Sequence, residues 1–303
     1  MPNYVTNRIE ISATGQTLED ILTAIQRPGD VRGSFDFNRL IPMPEALNIT
    51  EGSITDQSIS AFLSHLKDEI QEHPDLPGKA EDIKRYLSAA AEVKKHSFLT
   101  SYEYMPAEEI AAKAEKSNMS VEDYLELGKK YLDNQLSYGY ATWYRFCSDK
   151  WGTKWNADSG CLLDADGNLR FDTAWAAPEP IMKALSEKFP TVSFQHAWAD
   201  EDLGHNVGRA TYRNGHVIDY YLPEPGSAQA YELAFDILQT SPEAQSLRFD
   251  PKTSSYVYDE SMEEGLHTQE VLPIDNKIDL AKIKAALCSE NKTEPIQPEN
   301  PER

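Results

Sequence analysis

The stretch from Trp151 to Pro190 constrains the fold of this chain more than any other part of the sequence. It carries the segments WGTKWNA, DADGN, FDTAWAAPEP and SEKFP in one run. This pattern is typical of a strand, a tight turn, a second strand and a helix that starts at Pro178, because proline suits the first position of a helix. The segment TVSFQHAW then predicts a third strand.

The DADGN turn predicts a register for the two strands that it joins. With Asp166–Gly167 as a two-residue hairpin loop, Leu162 lies opposite Phe171. Successive side chains of a strand point to opposite faces. The pattern therefore places Phe171, Thr173 and Trp175 on one face of the sheet.

The first 50 residues predict a strand, a helix and another strand. Residues 4–12 alternate between two faces, as a half-buried strand does, and a helical stripe of apolar residues follows until Pro28 and Gly29. The segment FDFNRLIPMP predicts a short strand that ends at Pro42 and Pro44, because proline cannot donate a hydrogen bond to a neighbouring strand.

From residue 52 to residue 136 the hydrophobic period changes from 2 to 3.6, which indicates a helical insertion. Asn214-Gly215 is a strong two-residue hairpin signal between two further strands. Beyond Pro223 the sequence predicts a helix, a strand at SSYVYDE and a last helix around residues 279–288.

Together these elements predict an α+β chain, with a ferredoxin-like split βαβ antiparallel sheet, a large helical insertion and a C-terminal extension. The predicted αβ domain is discontinuous and comprises residues 1–50 and 137–222. The insertion takes residues 51–136, the extension residues 223–288, and the polar, proline-containing residues 289–303 are predicted to be a disordered tail.

Composition narrows the class of protein. The formal net charge is −21, from 50 acidic and 29 basic residues, and such a charge repels phosphate backbones, so direct nucleic-acid binding is not expected. No apolar run reaches the roughly 18–20 residues of a membrane span, and the first residues lack a signal peptide, so we expect a cytoplasmic protein. Cys147, Cys161 and Cys288 are too widely spaced to indicate a disulfide framework or a metal pair.

Several of these segments resemble a known family. PNYVTNRIEI, FDFNRLIPMP, WYRFCSDKWGTKWNA, FDTAWAAPEP and a Tyr-Arg-Asn-Gly hairpin are similar to the YubB ferredoxin-like domain family, whose members are found on plasmids, phages and prophages. The resemblance covers roughly residues 2–50 and 138–222. It implies the fold, a mobile-element origin and a cytoplasmic protein. It implies no reaction and no iron–sulfur cluster, since three scattered cysteines cannot supply four thiolates.

The sequence predicts no catalytic residue, metal site or cofactor. GxGxxG, the Walker loop, GxSxG and HExxH are all absent. His196 alternates with apolar residues and is interpreted as a packed sheet histidine rather than a general base. The acidic run from Asp200 to Asp202 could bind a cation, but a solvated loop is the favoured interpretation.

The densest group of aromatic and polar residues is the candidate binding surface. Core packing is the favoured role of its tryptophans. In a sheet covered by helices on one side, Lys154, Asn156 and Asp172 are expected to face away from the tryptophans, and that open face could bind a partner. The candidate surface comprises Trp151, Lys154, Trp155, Asn156, Asp172 and Trp175.

Two functions are compatible with the sequence. The first is a non-enzymatic, acidic binding protein of a plasmid or phage that engages a bacterial host protein, in counter-defence or by imitating DNA. The alternative is an enzyme or small-molecule binder whose pocket lies between the sheet and the helical insertion and is lined by the aromatic residues from Tyr138 to Trp155. The oligomeric state stays open, and a scaffold role is a third option.

Overall fold

The computed structural model describes residues 3–30, 32–73, 78–96, 101–157, 162–164 and 166–261. Within these residues the chain forms eight α-helices and eight strands. The helices are α1 (Gly15–Ile25), α2 (Ser53–Glu72), α3 (Lys79–Lys94), α4 (Ala107–Lys116), α5 (Val121–Tyr138), α6 (Trp143–Phe146), α7 (Glu179–Lys188) and α8 (Ala228–Leu238). The strands are β1 (Tyr4–Ile11), β2 (Leu162–Leu163), β3 (Leu169–Ala174), β4 (Phe194–Asp200), β5 (Gly208–Arg213), β6 (His216–Tyr221), β7 (Leu247–Asp250) and β8 (Ser255–Tyr258).

Six of the strands form one antiparallel sheet in the order β2-β3-β1-β4-β5-β6. β1 lies in the middle, with Asn7 opposite Phe171 of β3 on one side and opposite Trp198 of β4 on the other. Since β3 and β4 are both antiparallel to β1, they run parallel to each other, and α7 connects them. This split βαβ unit is the α+β topology that the sequence predicts.

One face of the sheet carries the main hydrophobic core. Alternate residues of β1, namely Val5, Asn7 and Ile9, are fully buried there, as the alternation in residues 4–12 predicts. α1 and α7 cover this face with the apolar stripes of their amphipathic sequences, which include Ile21 and Leu185. Burying these side chains supplies most of the free energy that holds the helices on the sheet.

The sequence predicts that the opposite face is open. This prediction is wrong, because α8 packs on that face. Ala230 and Ala234 of α8 are fully buried and form a cluster with Ala199 of β4. Arg8 on this face forms an ion pair with Asp236 of α8, with 2.6 Å between the charged atoms. The C-terminal extension therefore contributes to the two-sided cover of the sheet.

The helical insertion is observed as the four helices α2 to α5. Two apolar clusters separate from the sheet core hold these helices together, one around Ile59, Tyr131 and Leu132 and one around Ile110 and Tyr124. α5 starts where Ser120 accepts a hydrogen bond from the Asp123 N–H, which is the capping signal expected of that residue type. The domain boundaries around the insertion stay predictions.

The predicted strand at FDFNRLIPMP is wrong, because Phe37–Arg39 form a 3₁₀ turn instead. The Asp36 carboxylate accepts the Asn38 N–H at 3.1 Å, which stabilises a turn rather than an extended chain. The Phe37 N–H is taken by the side-chain oxygen of Asn156 at 2.8 Å, so it is not available to a strand partner. The sheet consequently has no strand from this segment.

The predicted register at DADGN is also wrong, by one residue. The Asp164 carboxylate accepts the backbone N–H groups of Asp166 and Asn168, and the Asp164 N–H donates to the Asn168 carbonyl. The loop therefore has three residues instead of two, and Leu162 lies opposite Arg170 rather than Phe171. The hairpin at Asn214-Gly215 is confirmed, with Arg213 opposite His216.

Beyond α8, β7 and β8 pair in a small two-stranded sheet, which confirms the predicted strand at SSYVYDE. The predicted helix at residues 279–288 and the predicted disordered tail at residues 289–303 lie outside the described residues. Among the helices of the described residues, none combines the length and the apolar character that crossing a membrane requires.

Candidate functional site

A cleft of about 1000 Å³ lies where the helical insertion meets the segment that leads into α6. Its walls come from the start of α2, the end of α3, the end of α5 and residues 140–154. The volume is at the upper end of the range that small-molecule sites occupy. The aromatic, hydroxyl and charged residues that line the cleft include Glu51, Asp56, Glu92, Tyr138, Tyr140, Thr142, Trp143, Tyr144, Arg145, Asp149, Lys150 and Lys154.

One wall of the cleft is aromatic and consists of Tyr138, Tyr140, Trp143 and Tyr144. α5 ends at Gly139, which adopts the left-handed conformation at φ 77° that stops helices, and the chain then turns back into α6. This reversal brings four aromatic residues from seven consecutive positions onto one surface. Of the aromatic residues from Tyr138 to Trp155 that the sequence predicts to line a pocket, these four line the cleft, whereas Trp151 and Trp155 do not. No residue of a described strand contributes to the cleft.

The carboxylates of the cleft mostly have partners within the protein. Glu92 forms an ion pair with Lys95 at 2.7 Å, and Asp149 forms one with Arg145 at 3.2 Å. Glu51 accepts a hydrogen bond from the Thr142 hydroxyl.

Glu51 also holds its proton more tightly than an ordinary glutamate. Partial burial raises the pKa of its carboxyl group, and the nearby negative charge of Asp56 acts in the same direction. Hydrogen bonds from Thr142 and from the Gly52 backbone oppose these effects without overcoming them.

Lys154 lies at the edge of the cleft, with its ammonium group among three aromatic rings. Its Nζ atom is 4.5 Å from the ring centroid of Trp175, 5.1 Å from that of Trp155 and 5.7 Å from that of Tyr144. All three distances fall within the range of cation–π attraction, about 6 Å. The rings hold the charge in place without accepting its N–H donors in conventional hydrogen bonds.

Trp175 reaches this position through an uncommon backbone conformation. It follows the end of β3 with φ 68°, a value that bulky residues rarely adopt, and its side chain is 44% exposed. The Trp175 N–H donates to the Asn3 carbonyl at 2.9 Å, and the Trp175 carbonyl accepts from the Asn206 side chain at 3.1 Å. Hydrogen bonds therefore hold both the N–H group and the carbonyl group of Trp175.

Asp200 holds both Asn3 and Asn206, the two residues that bind the Trp175 backbone. Its carboxylate accepts hydrogen bonds from the side chains of Asn3 and Asn206 and from the Asp202 N–H. The residue is buried, so the interpretation of the acidic run as a solvated loop is wrong for Asp200. Its oxygens are used by protein donors, and no group of three or more potential metal ligands occurs among the described residues.

The six residues of the candidate binding surface do not share one face. Trp151 is buried and its indole N–H donates to the Ile41 carbonyl at 2.9 Å. Asn156 donates to Asp36 at 2.6 Å, and Asp172 accepts from the Thr6 hydroxyl at 2.8 Å on the α8 side of the sheet.

The structure therefore brings together only Lys154, Trp155 and Trp175. The expectation that Lys154 faces away from the tryptophans is wrong, because residues 152–156 are bends without the alternation of a strand. Trp175 does not share the face of Phe171 and Thr173, since β3 ends at Ala174 and the chain then turns.

His196 is buried in the sheet, as predicted, and does not have the environment of a general base. Its Nε2 atom lies 2.9 Å from the Asn7 side-chain oxygen, and Asn7 in turn donates to Thr173. Burial lowers the pKa of the imidazole to about 3, so the ring is neutral at physiological pH. Cys147 is likewise buried, and burial raises its thiol pKa to about 12.

Sequence reasoning did not identify Glu51, Arg145 or Lys150 as residues of the cleft. Arg145 and Lys150 are adjacent to the tyrosine-rich passage, and that passage is the signal that could have found them. Glu51 lies 91 residues from Thr142, and no local pattern connects the two positions.

Part of this site lies in a segment that is similar to a known family of proteins. Residues 150–241 match the family model described as the ferredoxin-like domain in Api92-like protein. The chain is also similar to a solved structure, the protein api92 from Yersinia pseudotuberculosis, with 15% identity over 74% of this chain and 100% of that chain and a TM-score of 0.32. No curated protein matches the chain. Residues 150–241 therefore resemble the ferredoxin-like domain of Api92-like protein.

Proposed function

We propose that this protein binds a small molecule in the cleft between the helical insertion and α6. The observation that carries the proposal is the combination of a large cleft with an aromatic wall and a few placed polar groups, which is the usual composition of ligand sites. Four aromatic side chains supply contact area, while the Lys154 ammonium group supplies directed donors.

The first experiment looks for a molecule that the protein retains during purification. Native mass spectrometry of the protein is expected to show an added mass that disappears on denaturation. Tyr138→Ala is expected to lose it, since Tyr138 lines the cleft and is 45% exposed, so its removal costs little folding energy. Phe249→Ala removes a similarly exposed aromatic residue far along the chain and is the control.

Two results would count against the cleft. One is equal retention of the molecule by Tyr138→Ala and Phe249→Ala, which would place it elsewhere. The other is the absence of any retained molecule together with no ligand-induced rise in melting temperature across a metabolite screen.

A second candidate function rests on a separate, acidic hollow of about 600 Å³ in the insertion. Its rim includes Glu69, Asp82, Glu122, Asp123 and Glu126, while Phe62 and Leu66 lie among its apolar residues. Such a surface suits a basic segment of a partner protein. We propose on this basis that the protein is a non-enzymatic, cytoplasmic binding protein that engages a bacterial host protein, in counter-defence or as a DNA mimic. The resemblance to the YubB family supports a plasmid or phage origin for such a protein.

Affinity purification from a bacterial lysate, with and without nuclease, tests this second candidate. A stoichiometric host protein that survives nuclease is expected, and Glu69→Gln, Glu122→Gln and Glu126→Gln in one chain are expected to release it. The matched control carries Glu10→Gln, Glu201→Gln and Glu224→Gln, which remove the same charge from other exposed positions. Retention of the partner by the first triple variant would reject the acidic hollow as its site.

A further inference from the structure

The positive charges of the cleft are less completely paired than its negative charges. Three carboxylates have the partners described above, in Lys95, Arg145 and the Thr142 hydroxyl. By contrast, neither Lys150 nor Lys154 forms an ion pair with another residue in the part of the chain that the structure describes. Asp56 is the remaining acid of the lining and lies on the insertion side, at the start of α2.

Lys154 is moreover held ready for an acceptor. Three rings surround its ammonium group, so part of the rotamer freedom that a lysine side chain loses on binding an anion is already lost in the free protein. The tethered backbone of Trp175 positions one of these rings at a conformational cost of its own. A fixed ammonium whose N–H donors have no conventional acceptor among the described residues is suited to an anionic oxygen from outside the protein.

The aromatic wall defines the rest of the ligand. Flat unsaturated rings pack favourably against tyrosine and tryptophan side chains, and Tyr138, Tyr140, Trp143 and Tyr144 line the same cleft as Lys154. A long polyanion is disfavoured by the net charge of −21, whereas a small dianion can be accommodated by two local lysines.

We infer that the ligand of the cleft is a nucleoside monophosphate, with its base on the aromatic wall and its phosphate on Lys154 and Lys150. This inference rests on the proposed small-molecule function and adds the chemical class of the ligand.

Isothermal titration calorimetry with the full chain tests the inference. The probes are the four ribonucleoside monophosphates, the four nucleosides and inorganic phosphate. At least one monophosphate is expected to bind about tenfold or more tightly than its nucleoside. Lys154→Met is expected to lower the affinity for that monophosphate by about 10- to 100-fold, which is the effect of losing one hydrogen bond to a charged group.

Two variants separate loss of charge from loss of fold. Lys154→Arg keeps the charge and is expected to retain affinity within a few fold, while Lys252→Met removes an exposed lysine elsewhere and is expected to bind like the wild type. Far-ultraviolet circular dichroism of Lys154→Met, which reports the backbone rather than the aromatic rings around Lys154, is expected to match that of the wild type.

The outcomes distinguish this inference from the proposed function. A nucleoside that binds as tightly as its monophosphate, or a monophosphate affinity that Lys154→Met does not change, would overturn the ligand class. If Tyr138→Ala still weakened that binding, the cleft would remain a ligand site. Failure of every monophosphate to bind would also overturn the class, and only the retained-molecule experiment above then decides the proposed function.

Discussion

At the residue scale, the buried polar network around His196 shows how this sheet tolerates a histidine in its core. The Asn7 amide donates to the Val5 carbonyl and to Thr173, so its oxygen is left to accept the His196 Nε2–H. The other ring nitrogen, Nδ1, has no partner among the described residues. A charged imidazole would add an unpaired buried donor there, which is consistent with the lowered pKa of about 3.

His196 is therefore expected to make the protein sensitive to mild acid. Since the folded pKa lies below the unfolded value of about 6.5, the unfolded chain takes up a proton in this range and the folded chain does not. The contribution of neutral His196 to the free energy of unfolding is therefore present in full above pH 6.5. It decreases as the pH falls, and about 2 kcal/mol of it is lost at pH 5. Urea unfolding between pH 7 and pH 5 measures this loss.

The slope, rather than the level, of stability against pH identifies the residue responsible. In His196→Gln the free energy of unfolding is expected to fall by about 2 kcal/mol less between pH 7 and pH 5 than in the wild type. His216→Gln, which changes an exposed histidine of β6, is expected to show the same pH dependence as the wild type. Equal slopes in all three proteins would mean that His196 already accepts a proton in the folded state.

Trp175 gives a second prediction at this scale, on backbone strain. Trp175→Ala and Trp175→Gly both remove the indole from Lys154, but only glycine adopts φ 68° without steric cost. We expect Trp175→Gly to be more stable than Trp175→Ala by about 1 kcal/mol in urea unfolding. An alanine variant as stable as the glycine variant would show that this conformation stores no strain.

At the element scale, the contact between α2 and α5 depends on one small residue. A Cβ atom on Gly128 of α5 would lie 2.0 Å from the Ser58 carbonyl oxygen of α2, and that oxygen belongs to helix backbone. The two helices can approach this closely only because position 128 has no side chain. This close contact joins α2 to α5 within the insertion.

Gly128→Ala is expected to lower the free energy of unfolding by about 1–3 kcal/mol, the usual cost of overpacking. The intrinsic helix preference predicts the opposite sign, a gain of about 1 kcal/mol. Lys130→Ala, on the exposed side of the same helix, is the control and is expected to stay within about 0.5 kcal/mol. A stabilised Gly128→Ala variant would contradict the close approach.

The elements that the sequence predicts correctly are those whose determinants are local. β1 follows from alternation within eight residues, and α2 follows from a stripe of period 3.6. The segment around Phe37 is mispredicted because its decisive partner, Asn156, binds Asp36 from 120 residues away. The register error at DADGN is different in kind, since one side-chain acceptor, Asp164, lengthens the loop by a residue.

At the scale of the whole molecule, the cleft combines parts that the sequence separates. Its aromatic wall comes from consecutive positions, so the tyrosine-rich passage predicts it, whereas Glu51 enters from the start of the insertion, 91 residues before Thr142. The three rings around Lys154 likewise come together only because Trp175 leaves the sheet face on which the alternation of β3 places it. Periodicity describes each element by itself and does not encode which loops meet.

The net charge of −21 is also a property of the whole chain, and it predicts a response to salt. Excess negative charge repels itself more strongly in the compact state than in the unfolded chain, and added ions screen that repulsion. Exposed ion pairs such as Lys183–Glu179 weaken at the same time, but each contributes only about 0.2–1 kcal/mol. The melting temperature is therefore expected to rise between 10 mM and 150 mM sodium chloride, by about 2–4 °C for each kcal/mol of repulsion removed. Potassium chloride is expected to give the same rise, because screening depends on ionic strength rather than on the identity of the ion. A melting temperature that falls with salt would show that local ion pairs outweigh the net charge in this fold.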